Sequence, residues 1–166
     1  GTHAKWVETD GNEVRDFHTA MTGEVFAAVL GHTLFASLAA PPASGSALRA
    51  DSFSTGIARS APPHGLLHAF FELRAGILLE QLEPTELADL ISGLLIGTEI
   101  RHMASSCRPR ARIALLGATG LAERYAHALR VLEFIPVIFD VEEVTTRGFA
   151  ELARLCAEDG ACSGGL

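Results

Sequence analysis

The 166 residues carry 13 basic and 20 acidic side chains and a net charge of −7 at neutral pH, which argues against general attraction to phosphate backbones yet allows a nucleotide held locally by backbone amides. A chain of this length supports one domain with a sizeable core and leaves a second core cramped. Cys107, Cys156 and Cys162 are an odd number without metal-ligand spacing, so no disulfide framework is expected and a reducing, cytoplasmic setting fits.

In chain order, residues 4 to 10 (AKWVETD) and 13 to 19 (EVRDFHT) read as two antiparallel strands joined through Asp10-Gly11-Asn12, since Asp-Gly between runs of Val, Trp, Phe and Thr signals a hairpin. Val14 and Phe17 do not alternate cleanly in the second run. From Val25, Phe26, Val29 and Leu30 the period changes to about 3.6, and a helix is expected to start with Thr22 as its cap. Residues 41 to 47 (PPASGSA) read as a loop, followed by helices over Asp51 to Arg59 and Gly65 to Glu80, the second begun by Pro62-Pro63.

A further helix, from about Thr85 to His102, is unusually apolar and is expected to be central to the core. Its Gly93 and Gly97 lie four apart, a groove into which another backbone can come close, at about 1 kcal/mol of helix propensity per glycine. Its Leu90 to Ile100 stretch is far shorter than the roughly 20 residues that span a bilayer, and no signal peptide is recognised. Arg112 to Leu116 then reads as a buried strand, Gly117-Ala118-Thr119-Gly120 as a turn and Leu121 to Leu132 as a helix. A strand at Ile135 to Phe139 and a helix from about Val144 to Cys156 complete a β-α-β-α unit with parallel pairing. The Gly-rich tail, Asp159 to Leu166, is expected to be disordered.

Two turns have the chemistry of a ligand site. At Gly117-Ala118-Thr119-Gly120 a small-residue turn opens a helix, leaving outward N–H groups and a partial positive charge that suit a phosphate or the flat face of an adenosine; an ordinary strand-to-helix turn reads the same way. At Gly1-Thr2-His3 the glycine permits a sharp backbone, Thr2 supplies a hydroxyl and an N–H for a phosphate oxygen, and Lys5 adds charge. His64, His68 and Glu72 share one helical face at i, i+4, i+8 but read as a solvated stripe, and no metal site is expected. Arg108 to Arg112 (RPRAR), without aromatic neighbours, reads as a solvated connection.

The blocks GTHAKWV (residues 1 to 7), DFHTAMTGE (16 to 24), DSFSTGIARS (51 to 60), FELRA (71 to 75) and SGLLIGTEI (92 to 100), in this order and spacing, resemble the 2-dehydro-3-deoxygalactonokinase family. Members of that family phosphorylate a keto-deoxy sugar acid with ATP and are similar to the sugar kinase, hsp70 and actin superfamily, each of whose two lobes contains a ribonuclease-H-like sheet. The resemblance implies an α/β fold for residues 1 to 158, the C-terminal, nucleotide-binding lobe: an N-terminal β-hairpin, a helical middle and a terminal β-α-β-α unit. It implies Gly1, Thr2, His3 and Lys5 at the phosphates, Gly117, Ala118 and Thr119 near adenosine, and Thr22, Gly23 and Glu24 at the cleft or the substrate.

ATP, Mg²⁺ and the sugar acid are the implied ligands, with no nucleic acid or membrane partner; a homo-oligomer is left open. Arg74 and Glu99 are expected in a buried or interlobe ion pair, and His18 stands where the family commonly has Arg. The first phosphate motif, with its aspartate, and the sugar-handling segment belong to the N-terminal lobe and are not in these residues, so the chain alone is expected to be inactive. A competing reading keeps the fold but makes the protein a non-catalytic interaction module that binds a partner through the Leu87 to Ile100 helix.

Overall fold

The computed structural model describes residues 2–39, 48–61, 63 and 65–158. The expected 41–47 loop, Gly1, His64 and the 159–166 tail lie outside these residues in whole. The described elements run β1 (Ala4–Asp10), β2 (Glu13–Ala20), α1 (Thr22–His32), a 3-10 turn (Leu34–Ser37), α2 (Ala50–Arg59), α3 (Gly65–Leu78), α4 (Leu87–Met103), β3 (Arg112–Leu116), α5 (Thr119–Val131), β4 (Ile135–Phe139) and α6 (Val141–Glu158). Among the described residues no helix is long and apolar enough to cross a membrane.

The strands form two separate pairs, β1–β2 antiparallel and β3–β4 parallel. Gly11 turns the hairpin at φ 60°, a conformation that glycine adopts without Cβ strain. The uneven spacing of Val14 and Phe17 has a structural cause: Glu8 faces Asp16 but Thr9 faces Val14, so Arg15 is an extra, bulged residue. The bulge returns Val14 and Phe17 to the face that carries Val7, and all three are more than half exposed. Trp6 projects to the opposite face, where it joins the core formed by Phe53, Ile57, Ile96, Ile100 and Leu129. Ile113 and Leu115 of β3 pack on the same cluster, so both sheets share one apolar support.

Helix α4 is buried along nearly its whole length. Its N-terminal half, Leu87, Leu90, Ile91 and Leu94, packs with Phe35 and Leu73, and α1 covers that cluster with Val25, Phe26 and Val29. Its C-terminal half supplies Ile96 and Ile100 to the cluster beneath the sheets. Helix α2 lies in the expected groove. A Cβ on Gly93 would collide with the Phe53 carbonyl, one on Gly97 would come within 2.6 Å of Ser60 Oγ, and one on Gly56 would strike the Leu90 carbonyl from the other side. Because α4 is core, it offers no free surface to a partner, and the interaction-module reading loses the helix on which it rested.

Several expected boundaries move, among them the end of α3, at Leu78, and the start of α4, at Leu87. Met21, not Thr22, occupies the α1 cap position, and no side chain caps the helix; the Thr22 hydroxyl is given instead to a buried carboxylate, Glu99, a charge-assisted bond that outcompetes a neutral cap. Helix α5 begins at Thr119, with Ala118 before it, so Thr119 and Gly120 are helical. Helix α6 begins at Val141 because the Asp140 carboxylate accepts the Glu143 N–H at 2.8 Å, an N-cap written in the sequence as D-x-x-E. Before α4, the Glu86 carboxylate reaches back to the Glu83 N–H at 3.1 Å and accepts the Ser52 hydroxyl at 2.8 Å, tying that turn to α2.

Two predictions follow from this packing. Gly93→Ala gains about 1 kcal/mol of helix propensity but forces α2 and α4 apart, so a net loss of about 2 kcal/mol is expected. Gly31→Ala in α1, where a Cβ meets nothing within 4 Å, is expected to gain a few tenths to about 1 kcal/mol; shifts of the same sign in thermal unfolding of the intact protein would contradict the tight α2–α4 approach. The second concerns acid. The Glu83 N–H, then Ser52, hold the Glu86 carboxyl below its ordinary 4.5 against the opposing effect of burial. Its contribution is therefore complete above pH 4.5 and is lost as pH falls through the depressed folded value. Glu86→Gln should lower the melting temperature at pH 7 and flatten its decline below pH 4.5.

Candidate functional site

A cleft of about 1360 Å³ runs between the edges of the two sheets. One wall carries His3, Lys5, Thr22 and Gly23, the other Gly117 and Ala118, so segments more than ninety positions apart in the chain face one space. Consecutive residues of β1 (4 to 9) and of β3 (112 to 116) border it. Successive side chains alternate across a strand, so an unbroken run on the border means that the cleft looks onto the strand edges, which pair with no further strand among the described residues.

The residues expected at the phosphates are knit to the start of α1. The Glu24 N–H donates to the Thr2 carbonyl at 3.1 Å, His3 Nε2 lies 2.9 Å from Glu24 Oε2, and Thr2 Oγ1 lies 3.1 Å from His3 Nδ1. Lys5 Nζ donates to the Thr19 hydroxyl at 2.8 Å while remaining exposed at the cleft. Across the cleft, Ala118 accepts from the Leu121 and Ala122 amides at 3.0 and 2.9 Å, opening α5 and leaving the first-turn amides without intrahelical acceptors. Gly117 has nothing within 4 Å of a notional Cβ, so packing within this chain does not demand a glycine there.

Beneath the cleft, Glu99 of α4 is only 6% exposed. Its carboxylate accepts the Trp6 indole N–H at 2.6 Å, the Tyr125 hydroxyl at 2.8 Å and the Thr22 hydroxyl. Burial, and then the neighbouring Glu99 carboxylate, push the Tyr125 phenol well above its ordinary value of 10, so it stays a hydrogen-bond donor. Alongside, Arg124 of α5 pairs with the largely buried Asp89 at 2.7 Å and stacks over the Phe53 ring at 5.8 Å; Asp89 also accepts the Arg49 N–H at 3.2 Å.

Of the residues singled out by sequence, His3, Lys5, Thr22, Gly23, Gly117 and Ala118 reach the cleft. Thr2 and Glu24 stand behind His3, Thr119 is the first residue of α5, and Gly1 is outside the described residues. Among the described residues no ion pair joins Arg74 and Glu99: Arg74 lies over the Phe71 ring at 5.9 Å and Glu99 is held by neutral donors; the interlobe alternative concerns residues outside this chain. His68 sits 3.5 Å from Glu72 in an exposed pair, and among the described residues no group of three or more His, Cys, Asp or Glu is placed to hold a metal. Arg108, Arg110 and Arg112, read as a mere connection, line the cleft; the signal was their position directly before a strand that the βαβ pattern already placed beside the turn.

The donor set does not suit Mg²⁺. Among the described residues Glu8 is the one carboxylate lining the cleft, three positions and roughly 10 Å along β1 from Lys5, and Glu24 is engaged by His3, whereas Mg²⁺ favours free carboxylates beside the phosphates. The carboxylates at the cleft therefore do not make a magnesium site by themselves.

A sequence profile of the 2-keto-3-deoxy-galactonokinase family matches residues 1–152. The chain is 36% identical over 132 residues to the 2-dehydro-3-deoxygalactonokinase of Escherichia coli (strain K12), covering 80% of this chain and 44% of that protein. It is 32% identical over 157 residues to a Rhizobium meliloti (strain 1021) protein that carries the same kinase name provisionally, covering 93% and 50%. The crystal structure of a Sinorhizobium meliloti protein provisionally assigned to this kinase superimposes with a TM-score of 0.75 at 30% identity, over 93% of this chain and 52% of that one. The chain thus spans about half the length of the relatives it matches, with the same α/β arrangement, and it belongs to the 2-keto-3-deoxy-galactonokinase family.

Proposed function

We propose that these residues form the ATP-side lobe of a kinase that phosphorylates 2-dehydro-3-deoxy-D-galactonate to its 6-phosphate in galactonate catabolism, in the cytoplasm. The carrying observation is that the two segments expected to hold the nucleotide, His3 to Lys5 and Gly117 to Ala118, line one cleft. In this reading Thr2, His3 and Lys5 meet the phosphates, and Gly117, Ala118 and the amide of Thr119 meet the adenosine side. Thr22, Gly23 and Glu24 shape the cleft beside them. The bond from the γ-phosphorus to the ADP oxygen breaks as one forms from the primary hydroxyl oxygen of the sugar acid, which loses its proton. This chain's part is to hold the donor in line and to keep water out.

The lobe does not act alone in this reading. The chain is about half the length of its relatives, and the unpaired edges of β1 and β3 face the same cleft. Two-stranded sheets are marginal by themselves, which supports backbone from the rest of the polypeptide lying between them to make one ribonuclease-H-like sheet. The acceptor sugar, the magnesium ligands and closure over the site then depend on the other lobe.

A coupled assay in the full-length protein should show ADP release that requires 2-dehydro-3-deoxygalactonate, and the 166-residue chain alone should show none. No sugar-dependent ADP release from the full-length protein would refute the kinase reading. Thr2→Ala should raise the KM for ATP and lower turnover; both staying unchanged would remove Thr2 from the phosphates. Gly117→Val should leave stability within about 0.5 kcal/mol, because its Cβ meets nothing in the chain, while weakening ATP binding through steric exclusion of the nucleotide.

A further inference from the structure

The carboxylate of Glu99 sits where the helix packing would favour an aliphatic side chain. It lies in the buried C-terminal half of α4, between Ile96 and Ile100, and removing a charge from water is costly unless its lone pairs are well satisfied. Among the described residues no cation compensates it; three neutral donors do. What distinguishes these donors is where they come from. Trp6 follows Lys5 in β1, Thr22 begins α1 immediately before Gly23 and Glu24, and Tyr125 belongs to the helix that opens after Gly117 and Ala118. The two segments assigned to the nucleotide and the one assigned to the cleft are thus each tethered by one side chain to the same two oxygens.

We infer that Glu99 is a positioning residue for the nucleotide, an inference that rests on the kinase reading above. The carboxylate fixes the phosphate-side turn, the start of α1 and the adenosine-side helix relative to one another before ATP arrives. It touches none of the reacting atoms; it sets the separation of the groups that do. An aliphatic side chain would pack here without loss of core, but it would leave the three donors free to turn independently. Glutamine keeps the size and one acceptor oxygen while replacing the other with an N–H₂ that cannot accept, so the Thr22 and Tyr125 hydroxyls, which share one oxygen, must either give up a bond or turn to accept from the amide. Misplacement of binding groups by a fraction of an ångström is costly in reactions that rely on alignment.

The test uses the full-length protein, assayed with ATP and 2-dehydro-3-deoxygalactonate well below the melting temperature. Glu99→Gln is expected to raise the KM for ATP about tenfold, and to raise it more than the KM for the sugar acid, because two of the three tethered segments are assigned to the nucleotide. Tyr125→Phe removes a single tether and keeps the ring in place, so it should show a smaller shift in the same direction even where Glu99→Gln folds poorly. Leu129→Ala, a truncation in the adjoining core, should lower the melting temperature and leave the KM for ATP where it was. An active wild type in which both network variants lose stability but keep the wild-type KM for ATP would overturn the inference and leave the kinase reading intact. A wild type without sugar-dependent ADP release would overturn the kinase reading, and this one with it.

Discussion

The architecture depends on one constraint, the enclosure of α4. A helix covered along nearly its whole length has no solvated face on which to place what does not fit, so every position must answer to a neighbour. The answer takes three forms here. Leucine and isoleucine fill the two clusters on either side, glycine is used where the α2 backbone arrives, and the polar positions, Asp89 and Glu99, are each met by donors from other elements. The ends of α4 therefore do different work: the first half unites the helical middle, and the second half carries the sheets and the cleft above them.

Much of this was legible because it is local or periodic. The hairpin was announced by Asp10-Gly11, the groove by Gly93 and Gly97, and the parallel unit by two short apolar strands flanking a helix. Failures fell where a distant partner decided the outcome. Thr22 has the composition of a cap, yet the buried carboxylate of Glu99, seventy-seven positions away, claims its hydroxyl. The bulge at Arg15 was visible only as an irregularity, since it takes the opposite strand to show which residue is left over. Arg108 to Arg112 looked like a connection because nothing in the run itself shows what space it borders.

The cleft combines groups that a single motif would not reveal. Each turn is weak evidence of binding when read alone, and their convergence across one space gives the pairing its force. The family profile runs through both turns, over residues 1–152, and α4 and α5 link the two through Glu99 and Tyr125.

The bulge at Arg15 has a colloidal consequence. By bringing Val7, Val14 and Phe17 onto one exposed face of a hairpin whose edge is unpaired, it creates the kind of surface through which copies of a chain adhere. The net charge of −7 opposes that adhesion by mutual repulsion, a force that acts over only about 10 Å at 0.1 M salt. Raising the ionic strength screens that repulsion and leaves the apolar face unopposed.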